Sequence, residues 1–403
     1  MKIKVCFLIG EFNIFSGTSK PMFELAKSLL KEGHEVSIIT SELKSNLKDA
    51  HDSYFKLDGY GNLRIIKVPS SIYSFMIHGY KKDDGKIVDI IAEADLIHGF
   101  NFIELYLTKR LINKLKLQTR TICSLSGPYK FYIRDLWNSG VLSLLNLVKP
   151  VFLFKLVMPN FFFKKILNSF DKIIANTEFI VNEIESIGID PIKIKKIQAG
   201  IDINQINQCN KHELKKMYNF VYFGSGSSIR GVQDVLKAFD IVLKQKKDST
   251  LAFYFLGSHG IEEKLYTSII RSHKKFGSSL FLELGAKLNI LEIIKSSDAV
   301  ILPFRSSIGY SHPPLTLIES MLLEKLVIST YVGSIPEFIQ NGFTGFLVPR
   351  GDIKKIADKM MLTFDEDLKL KIGKTAREST IEAHSIDNIT NETINLYKAA
   401  MSE

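Results

Sequence analysis

One predicted helix start carries residues that could bind a phosphorylated ligand. It lies in ILPFRSSIGYSHPPLTLIES, where a strand and a loop precede a first helical turn of Pro314, Leu315, Thr316 and Leu317. The backbone N–H groups of this turn and the Thr316 hydroxyl could hold an anion at the positive end of the helix dipole. Glu319, about one turn further, could accept hydrogen bonds from two ribose hydroxyls. The alternative is that Glu319 is a surface acid that stabilises the helix start.

Two other loops show a similar pattern of strand, glycine and helix. In YFGSGSSIRGVQDVLKAF, Arg230 stands at a helix entrance, where a guanidinium suits a diphosphate. Gly17 lies just before the first helix of the chain, where a glycine lets the backbone approach a ligand. The alternatives are a solvated surface arginine and an ordinary loop glycine.

The elements that must position these loops follow a regular alternation. Short, continuously apolar segments read as strands, and helical patterns separate most of them. The first series contains KIKVCFLIG, EVSIIT, LRIIKVP, ADLIHGF, TRTICSLSG and DKIIANT, and the second contains NFVYFGSG, LAFYFLGS, LFLELG, DAVILPF, KLVISTY and TGFLVPR. This pattern predicts an α/β protein with two doubly wound parallel sheets covered on both faces.

The join between the two series is predicted where polarity rises, between about residues 199 and 217. We therefore expect an N-terminal domain over residues 1–198 and a C-terminal domain over 199–383. A last helix over about residues 384–403 is expected to pack back on the first domain. Ligands of such sheets bind beyond the carboxyl ends of the strands, so the chemistry is expected in the loops that follow them.

The composition excludes several classes of protein. Apolar residues make up 45% of the 403 residues and charged residues 24%, which is typical of a globular chain. Its three cysteines lie far apart without a C-x-x-C pair, which argues against a zinc ribbon or a disulfide-stapled secreted fold. The net charge of +10 fits a solvated lysine-rich surface or one that attracts phosphorylated ligands or anionic lipid. No nucleic-acid motif accompanies the charge, and no apolar run reaches the ~18 residues of a spanning helix.

The order of motifs resembles glycosyltransferase family 4, whose members are retaining enzymes of the GT-B fold. The segment SGTSKPMFELAKSLLKEGHEVSIIT is similar to the family's opening, and ANTEFIVNEIESIGIDPIKIKKIQAGID to its linker strand. The segment VGSIPEFIQNGFTGFLVP is similar to the closing part of the family pattern. The resemblance covers nearly the whole chain in order and implies a GT-B glycosyltransferase.

The resemblance also implies roles for single residues in binding a nucleotide-sugar donor. Glu319 matches the glutamate that holds the ribose, and Arg230 stands where the family usually has a lysine on the diphosphate. Gly17 matches a glycine that lets the donor approach, and Leu315 and Thr316 belong to the diphosphate site. Leu288 falls in the loop that packs against the nucleobase.

The chain departs from the family pattern at three serines. Ser311 stands where the family usually has a first glutamate on the donor sugar, and Ser225 falls near its loop arginine. Ser126 stands at the position of a histidine close to the reacting centre. His312 could partly replace the missing donor-sugar contact. His98 matches a frequent family histidine and is a candidate catalytic residue beside Ser126, with a hydrogen-bonded structural histidine as the alternative.

The resemblance implies transfer from a nucleotide-diphosphate sugar to a glycan or lipid-linked saccharide, with retention, without a metal and without a further cofactor. Positioning and charge stabilisation on the leaving diphosphate would drive it. Two alternatives remain: a catalytically weak or inactive nucleotide-sugar-binding relative or partner subunit, favoured by the three serines, and a GT-B epimerase. No nucleic-acid partner is expected. The nucleobase, the sugar and the acceptor are not identified by the sequence.

One segment, residues 136–170, lacks acidic residues and carries four lysines among many aromatic and aliphatic side chains. Such a basic, amphipathic segment could lie in a membrane interface, and the equal alternative is a helical insertion into the core of the first domain. The expected location is the cytoplasm. If the segment lies in a membrane interface, the protein would contact the cytoplasmic face of the membrane peripherally.

Overall fold

The computed structural model describes most of the chain. The described residues are 2–12, 19–43, 53–57, 61–67, 85–100, 102–130, 155–210, 218–255, 261–272, 274–284, 289–308, 310 and 312–402. Within them the chain divides into two compact units. The first comprises Met1–Tyr129, Met158–Asp202 and His384–Glu403, and the second Lys130–Val157 and Ile203–Ala383.

The first unit contains a sheet of eight strands with the order β3-β4-β2-β1-β5-β6-β7-β8. The strands are β1 (Lys4–Phe12), β2 (Glu35–Leu43), β3 (Ser53–Leu57), β4 (Gly61–Lys67), β5 (Leu96–Gly99), β6 (Arg120–Leu125), β7 (Lys172–Ala175) and β8 (Ile194–Lys196). The helices of this unit are α1 (Ser19–Lys31), α2 (Gly85–Glu93), α3 (Phe102–Lys114), α4 (Asn160–Asn168) and α5 (Glu178–Glu185).

The second unit contains a six-stranded sheet with the order β11-β10-β9-β12-β13-β14. The strands are β9 (Tyr218–Gly224), β10 (Ser249–Phe255), β11 (Leu280–Leu284), β12 (Ala299–Leu302), β13 (Leu326–Thr330) and β14 (Phe346–Val348). Its helices are α6 (Ile203–Gln208), α7 (Val232–Gln245), α8 (Ile261–Ser272), α9 (Ile290–Ser296), α10 (Leu315–Leu322), α11 (Ile353–Leu362) and α12 (Glu366–His384). The last helix of the chain, α13 (Ile386–Ser402), belongs to the first unit.

The predicted class, two parallel-sheet α/β domains, is confirmed, and each predicted strand is present. The strands β9 and β13 are largely buried and mostly apolar, as expected for central strands of a parallel sheet. Two strands are absent from the predicted series, β3 and β8, which lie at the two edges of the first sheet. The edge strand β3 runs antiparallel to β4, which makes the first sheet mixed and not purely parallel.

The C-terminal helix belongs to the first unit. Tyr397 and Ala400 of α13 are fully buried in the same core as Val5 and Phe7 of β1. The N–H of Ile201 donates to the carbonyl of His384, and the chain re-enters the first unit there. The structure places the forward join between Asp202 and Ile203.

Part of the segment 136–170 lies outside the described residues, since the description resumes at Lys155. Residues 155–157 group with the second unit, although the sequence assigns them to the first. In α4, Phe163 is fully buried, whereas Phe161 is 73% exposed. One face of this helix is therefore core, and the other is open to solvent together with Lys164 and Lys165.

Candidate active site

The loop after β9 forms a tight turn at the carboxyl end of the second sheet. β9 ends at Gly224, and a 3-10 turn over Ser228–Arg230 leads through Gly231 into α7. Gly231 has φ +74°, a conformation that side chains with a Cβ rarely adopt. A Cβ at this position would also lie 2.0 Å from the carbonyl oxygen of Pro303, so the loops after β9 and β12 are in close backbone contact.

Arg230 is held at this turn in aromatic surroundings. The Cζ atom of its guanidinium lies 5.7 Å from the centroid of the Phe304 ring, a distance that allows a cation–π contact. Burial lowers the pKa of Arg230, and the neighbouring hydroxyl groups of Tyr222 and Tyr310 partly offset this effect. A guanidinium stays charged even so, which gives the carboxyl edge of the sheet a half-buried positive charge. Arg230 is half-buried, and its contact with Phe304 favours a position at the edge of the sheet over the alternative of a fully solvated surface arginine.

The loop after β12 carries a stack of three rings beside Arg230. Tyr310 lies 4.3 Å from Phe304 and 4.4 Å from His312, measured between ring centroids. The Tyr310 hydroxyl donates to the carbonyl of Val332, and the hydroxyl of Thr330 donates to the carbonyl of Phe304. These bonds fix the β12 loop against the end of β13.

His312 is buried and bonded at both ring nitrogens. Its Nε2 donates to the carbonyl of Ser307 at 3.0 Å, which leaves Nδ1 to accept from the Ser334 hydroxyl at 2.8 Å. Burial lowers the pKa of His312 to about 4, so the ring is neutral near pH 7. This geometry favours a role in joining the loop after β12 to the loop after β13 over the predicted contact with the donor sugar.

The start of α10 differs from the prediction in two respects. Pro314 precedes the helix as its N-cap residue and does not lie in the first turn. The N–H of Leu317 is also not available to a ligand, because it donates to the carbonyl of Pro314 at 3.0 Å. The N–H groups of Leu315 and Thr316 are the first of the helix, and such groups have no partner within the helix itself.

Glu319 lies one turn into α10 and is 3% exposed. The alternative that it is a surface acid is therefore wrong. A buried carboxylate must be hydrogen-bonded or paired to be stable, and the helix start brings it to the same edge of the sheet as the Arg230 turn. The roles predicted for Glu319, Leu315, Thr316 and Arg230 stay predictions.

In the first unit, His98 ends β5 and is 1% exposed. Its Nδ1 shares a hydrogen bond of 2.7 Å with the Tyr397 hydroxyl, and its Nε2 one of 2.6 Å with the Ser124 hydroxyl. Burial lowers the pKa of His98 to about 3. These contacts favour the structural alternative over a catalytic role. Ser126 follows β6 directly and is half-buried.

Three predicted site residues, Gly17, Ser311 and Leu288, lie outside the described residues. Ser225 lies in the described loop after β9, and its carbonyl accepts a hydrogen bond from the Tyr222 hydroxyl. The sequence analysis missed Arg305, which pairs with the buried Asp234 next to this site. No sequence signal joins these two residues, because they lie 71 positions apart.

The part of the chain that the structure describes contains neither a membrane-spanning helix nor a metal-binding cluster. Among those residues, no helix is both long and apolar enough to cross a bilayer. In the same part of the chain, no group of three His, Cys, Asp or Glu side chains is arranged to hold a metal ion.

Two family models match consecutive parts of the sequence. The family described as Glycosyltransferase Family 4 matches residues 15–205, and that described as Glycosyl transferases group 1 matches residues 204–379. Among curated proteins, N-acetyl-alpha-D-glucosaminyl L-malate synthase of Bacillus anthracis is 26% identical over 395 residues, covering 93% of this chain and 91% of that protein.

Solved structures share the fold over almost the whole chain. A glycosyltransferase from Rickettsia africae aligns with a TM-score of 0.71 and 18% identity, covering 99% of each chain. Anabaena HepE, solved with UDP and glucose, aligns with a TM-score of 0.72 and 13% identity, covering 98% of this chain and all of the other. This likeness shows the GT-B fold, and the two family models, which together span residues 15–379, define the chain as a glycosyltransferase. The chain belongs to glycosyltransferase family 4.

Proposed function

We propose that this protein transfers a sugar from a nucleotide-diphosphate donor to a glycan or lipid-linked saccharide, with retention of configuration. The observation that carries the proposal is the half-buried guanidinium of Arg230, which lies beside the Phe304 ring at the carboxyl edge of the second sheet. A guanidinium forms charge-assisted hydrogen bonds with phosphoryl oxygens, and a diphosphate offers two phosphoryl groups to it.

The proposed chemistry needs positioning and charge stabilisation. As the bond between sugar and diphosphate breaks, negative charge develops on the leaving group. Arg230 would take up this charge together with the N–H groups at the start of α10, while Glu319 holds the ribose. The proposed reaction uses neither a protein nucleophile nor a metal ion.

UDP-sugars are the first donors to test, and UDP-N-acetylglucosamine comes first among them. The curated relative of B. anthracis is named for an N-acetylglucosaminyl product, and a second relative in Staphylococcus aureus is named poly(ribitol-phosphate) alpha-N-acetylglucosaminyltransferase. HepE and TarM, which share the fold, were solved with UDP.

Peripheral membrane contact is part of the proposal for a lipid-linked acceptor. The exposed side of α4 supports it, since Phe161 lies beside Lys164 and Lys165 there. Lysines attract anionic headgroups, and an exposed aromatic ring can enter the interface.

A second candidate is a nucleotide-sugar-binding relative with little or no transfer activity. Ser225 stands near the family's loop arginine, and His312 has both nitrogens engaged within the protein. Serine supplies no charge to the leaving group. Release of UDP from a UDP-sugar separates the candidates, because the binding relative would hold the donor without cleaving it.

The test is calorimetric binding of UDP and of uridine to the wild type and to Arg230→Ala. We expect the substitution to weaken UDP binding by ~1.5–3 kcal/mol and to leave uridine binding nearly unchanged. Arg230→Lys should keep part of the affinity without the bidentate geometry. The matched control is Arg271→Ala, which removes the same charge from an exposed end of α8. Equal losses for UDP and uridine would contradict the assignment of Arg230.

A further inference from the structure

The loop after β12 is joined to the start of α7 by an ion pair. Asp234 in the first turn of α7 is fully buried, and Arg305 follows β12. Nε of Arg305 donates to one carboxylate oxygen of Asp234 at 2.7 Å, and Nη2 donates to the other at 2.6 Å. The bonds to Asp234 raise the pKa of Arg305. A paired, two-point contact of this kind fixes both distance and orientation.

The backbone of Arg305 makes a second connection. Its N–H donates to the carbonyl of Ile229 at 2.9 Å, and Ile229 is the residue before Arg230 in the 3-10 turn. Arg305 thus bonds to the turn on one side of Arg230 through its backbone, and to α7 on the other side through its guanidinium.

The two residues before Arg305 contact the same turn. The Pro303 carbonyl lies against Gly231, and the Phe304 ring lies under the guanidinium of Arg230. Three consecutive residues of one loop therefore contact the other loop in the vicinity of Arg230, and the ion pair is the strongest of these contacts.

The burial of Asp234 makes the ion pair decisive for local geometry. A buried carboxylate that loses its partner carries a large desolvation penalty. Without Arg305, the free energy of the protein falls if the Asp234 carboxylate moves toward water. Such a movement shifts the first turn of α7. Arg230 lies four positions earlier in the chain, so its guanidinium shifts as well.

The position of Arg230 matters here because the turn has no second cation. Between Gly224 and Gly231 the sequence carries one charged residue, Arg230. Ser225 falls near the position at which the family usually has its loop arginine. A displaced guanidinium has no neighbour in this turn that could take over its contact. Binding groups generally need to be held to about 0.5 Å by the residues around them.

We propose that Arg305 is a positioning residue for Arg230 and that its pair with Asp234 sets the affinity for the diphosphate of the donor. This inference rests on the proposed function. It assigns Arg305 no contact with the donor. It predicts that breaking the pair weakens diphosphate recognition while nucleoside recognition persists.

The experiment combines two measurements on the full chain. Amide hydrogen exchange over residues 225–232 reports whether the turn is held, in the absence of any ligand. Calorimetry with UDP and with uridine reports whether the guanidinium is in place. For Arg305→Met we expect about tenfold faster exchange in this peptide and about tenfold weaker UDP binding. Uridine affinity should be unchanged, and Arg305→Lys should restore part of the UDP affinity.

The matched control is Lys369→Met. Lys369 forms a partly buried ion pair with Asp298 in the same unit, at the opposite edge of the sheet. This variant should lose stability while exchange at 225–232 and UDP binding remain at wild-type values. A general loss of stability thereby becomes distinguishable from displacement of Arg230.

Three outcomes would overturn the inference. Unchanged exchange at 225–232 in Arg305→Met would show that Arg305 does not hold the turn. Faster exchange with unchanged UDP affinity would show that the turn does not govern diphosphate recognition. Equal losses for UDP and uridine would indicate general damage to the unit. If the wild type binds no nucleoside diphosphate, the proposed function fails, and the exchange measurement alone still decides whether Arg305 holds the turn.

Discussion

Substitution of Gly231 by alanine tests the close approach of the two loops in the second unit. At φ +74°, alanine costs about 1–2 kcal/mol through backbone strain alone. The added Cβ would lie 2.0 Å from the Pro303 carbonyl oxygen, and this atom belongs to the backbone and cannot rotate away. Relief of such overpacking typically costs about 1–3 kcal/mol more. We therefore expect Gly231→Ala to lower the free energy of unfolding by about 2–5 kcal/mol, the sum of the two effects.

The control for this prediction is Gly342→Ala. Gly342 lies in the same unit at φ +84°, and nothing lies within 4 Å of a Cβ built there. The difference between the two variants thus isolates the clash. Urea unfolding followed by circular dichroism measures both, and their difference is meaningful even if the two units unfold separately. Gly231→Ala should also weaken UDP binding. If Gly231→Ala is no less stable than Gly342→Ala, the close contact between the loops does not exist.

The remaining predictions concern both units. Glu319→Ala should weaken nucleotide binding by ~1.5–3 kcal/mol in calorimetry, because a charged hydrogen-bond partner of the ribose is lost. His98 has a folded-state pKa of about 3, below its ordinary value, so the unfolded state takes up the proton first. Its contribution to stability is complete above about pH 6.5 and falls by about 1.4 kcal/mol per pH unit as the pH drops toward 3. His98→Gln should flatten that part of the pH profile of urea unfolding. Phe163→Asp should unfold the first unit, and Phe161→Asp should leave its circular dichroism unchanged while reducing binding to anionic vesicles.

Each of these predictions has a result that would contradict it. Unchanged nucleotide affinity in Glu319→Ala removes this residue from the site. An equally steep acid limb in His98→Gln means that other groups cause the loss of stability. Wild-type protein that stays in the supernatant with anionic vesicles at low salt rules out the membrane contact, whatever the two phenylalanine variants do.

The sequence predicts most of the fold because its signals are local. Continuous apolar runs such as that of β9, separated by amphipathic helices, favour buried parallel strands whatever the rest of the chain does. The strands β3 and β8 escaped because they have five and three residues and lie at the edges of the sheet, where β3 pairs antiparallel with β4. A short edge strand needs no continuous apolar run, so its sequence resembles that of a loop.

The site is predicted less completely, since it depends on contacts between distant loops. The glycine turn at Arg230 and the helix start at Leu315 are local features and are present. The hydrogen bonds of His312 are not local, because Ser334 lies 22 positions away. The partner of Arg305 is still more distant. Pairing of this kind is decided by the order of strands in the sheet, which spacing along the chain does not reveal.

The return of the C-terminal helix to the first unit has a consequence for synthesis on the ribosome. The hydroxyl of Tyr397 reaches His98, and Tyr397 is buried in the core beneath β1. The N-terminal sheet therefore lacks a part of its core until the last turns of α13 emerge. The second unit, by contrast, has its entire chain available by Ala383. Domains generally fold in order of synthesis, but here the first unit to emerge is the last that can be completed. Nascent chains stalled before α13 should therefore expose the unfinished core of the first unit to chaperones and proteases.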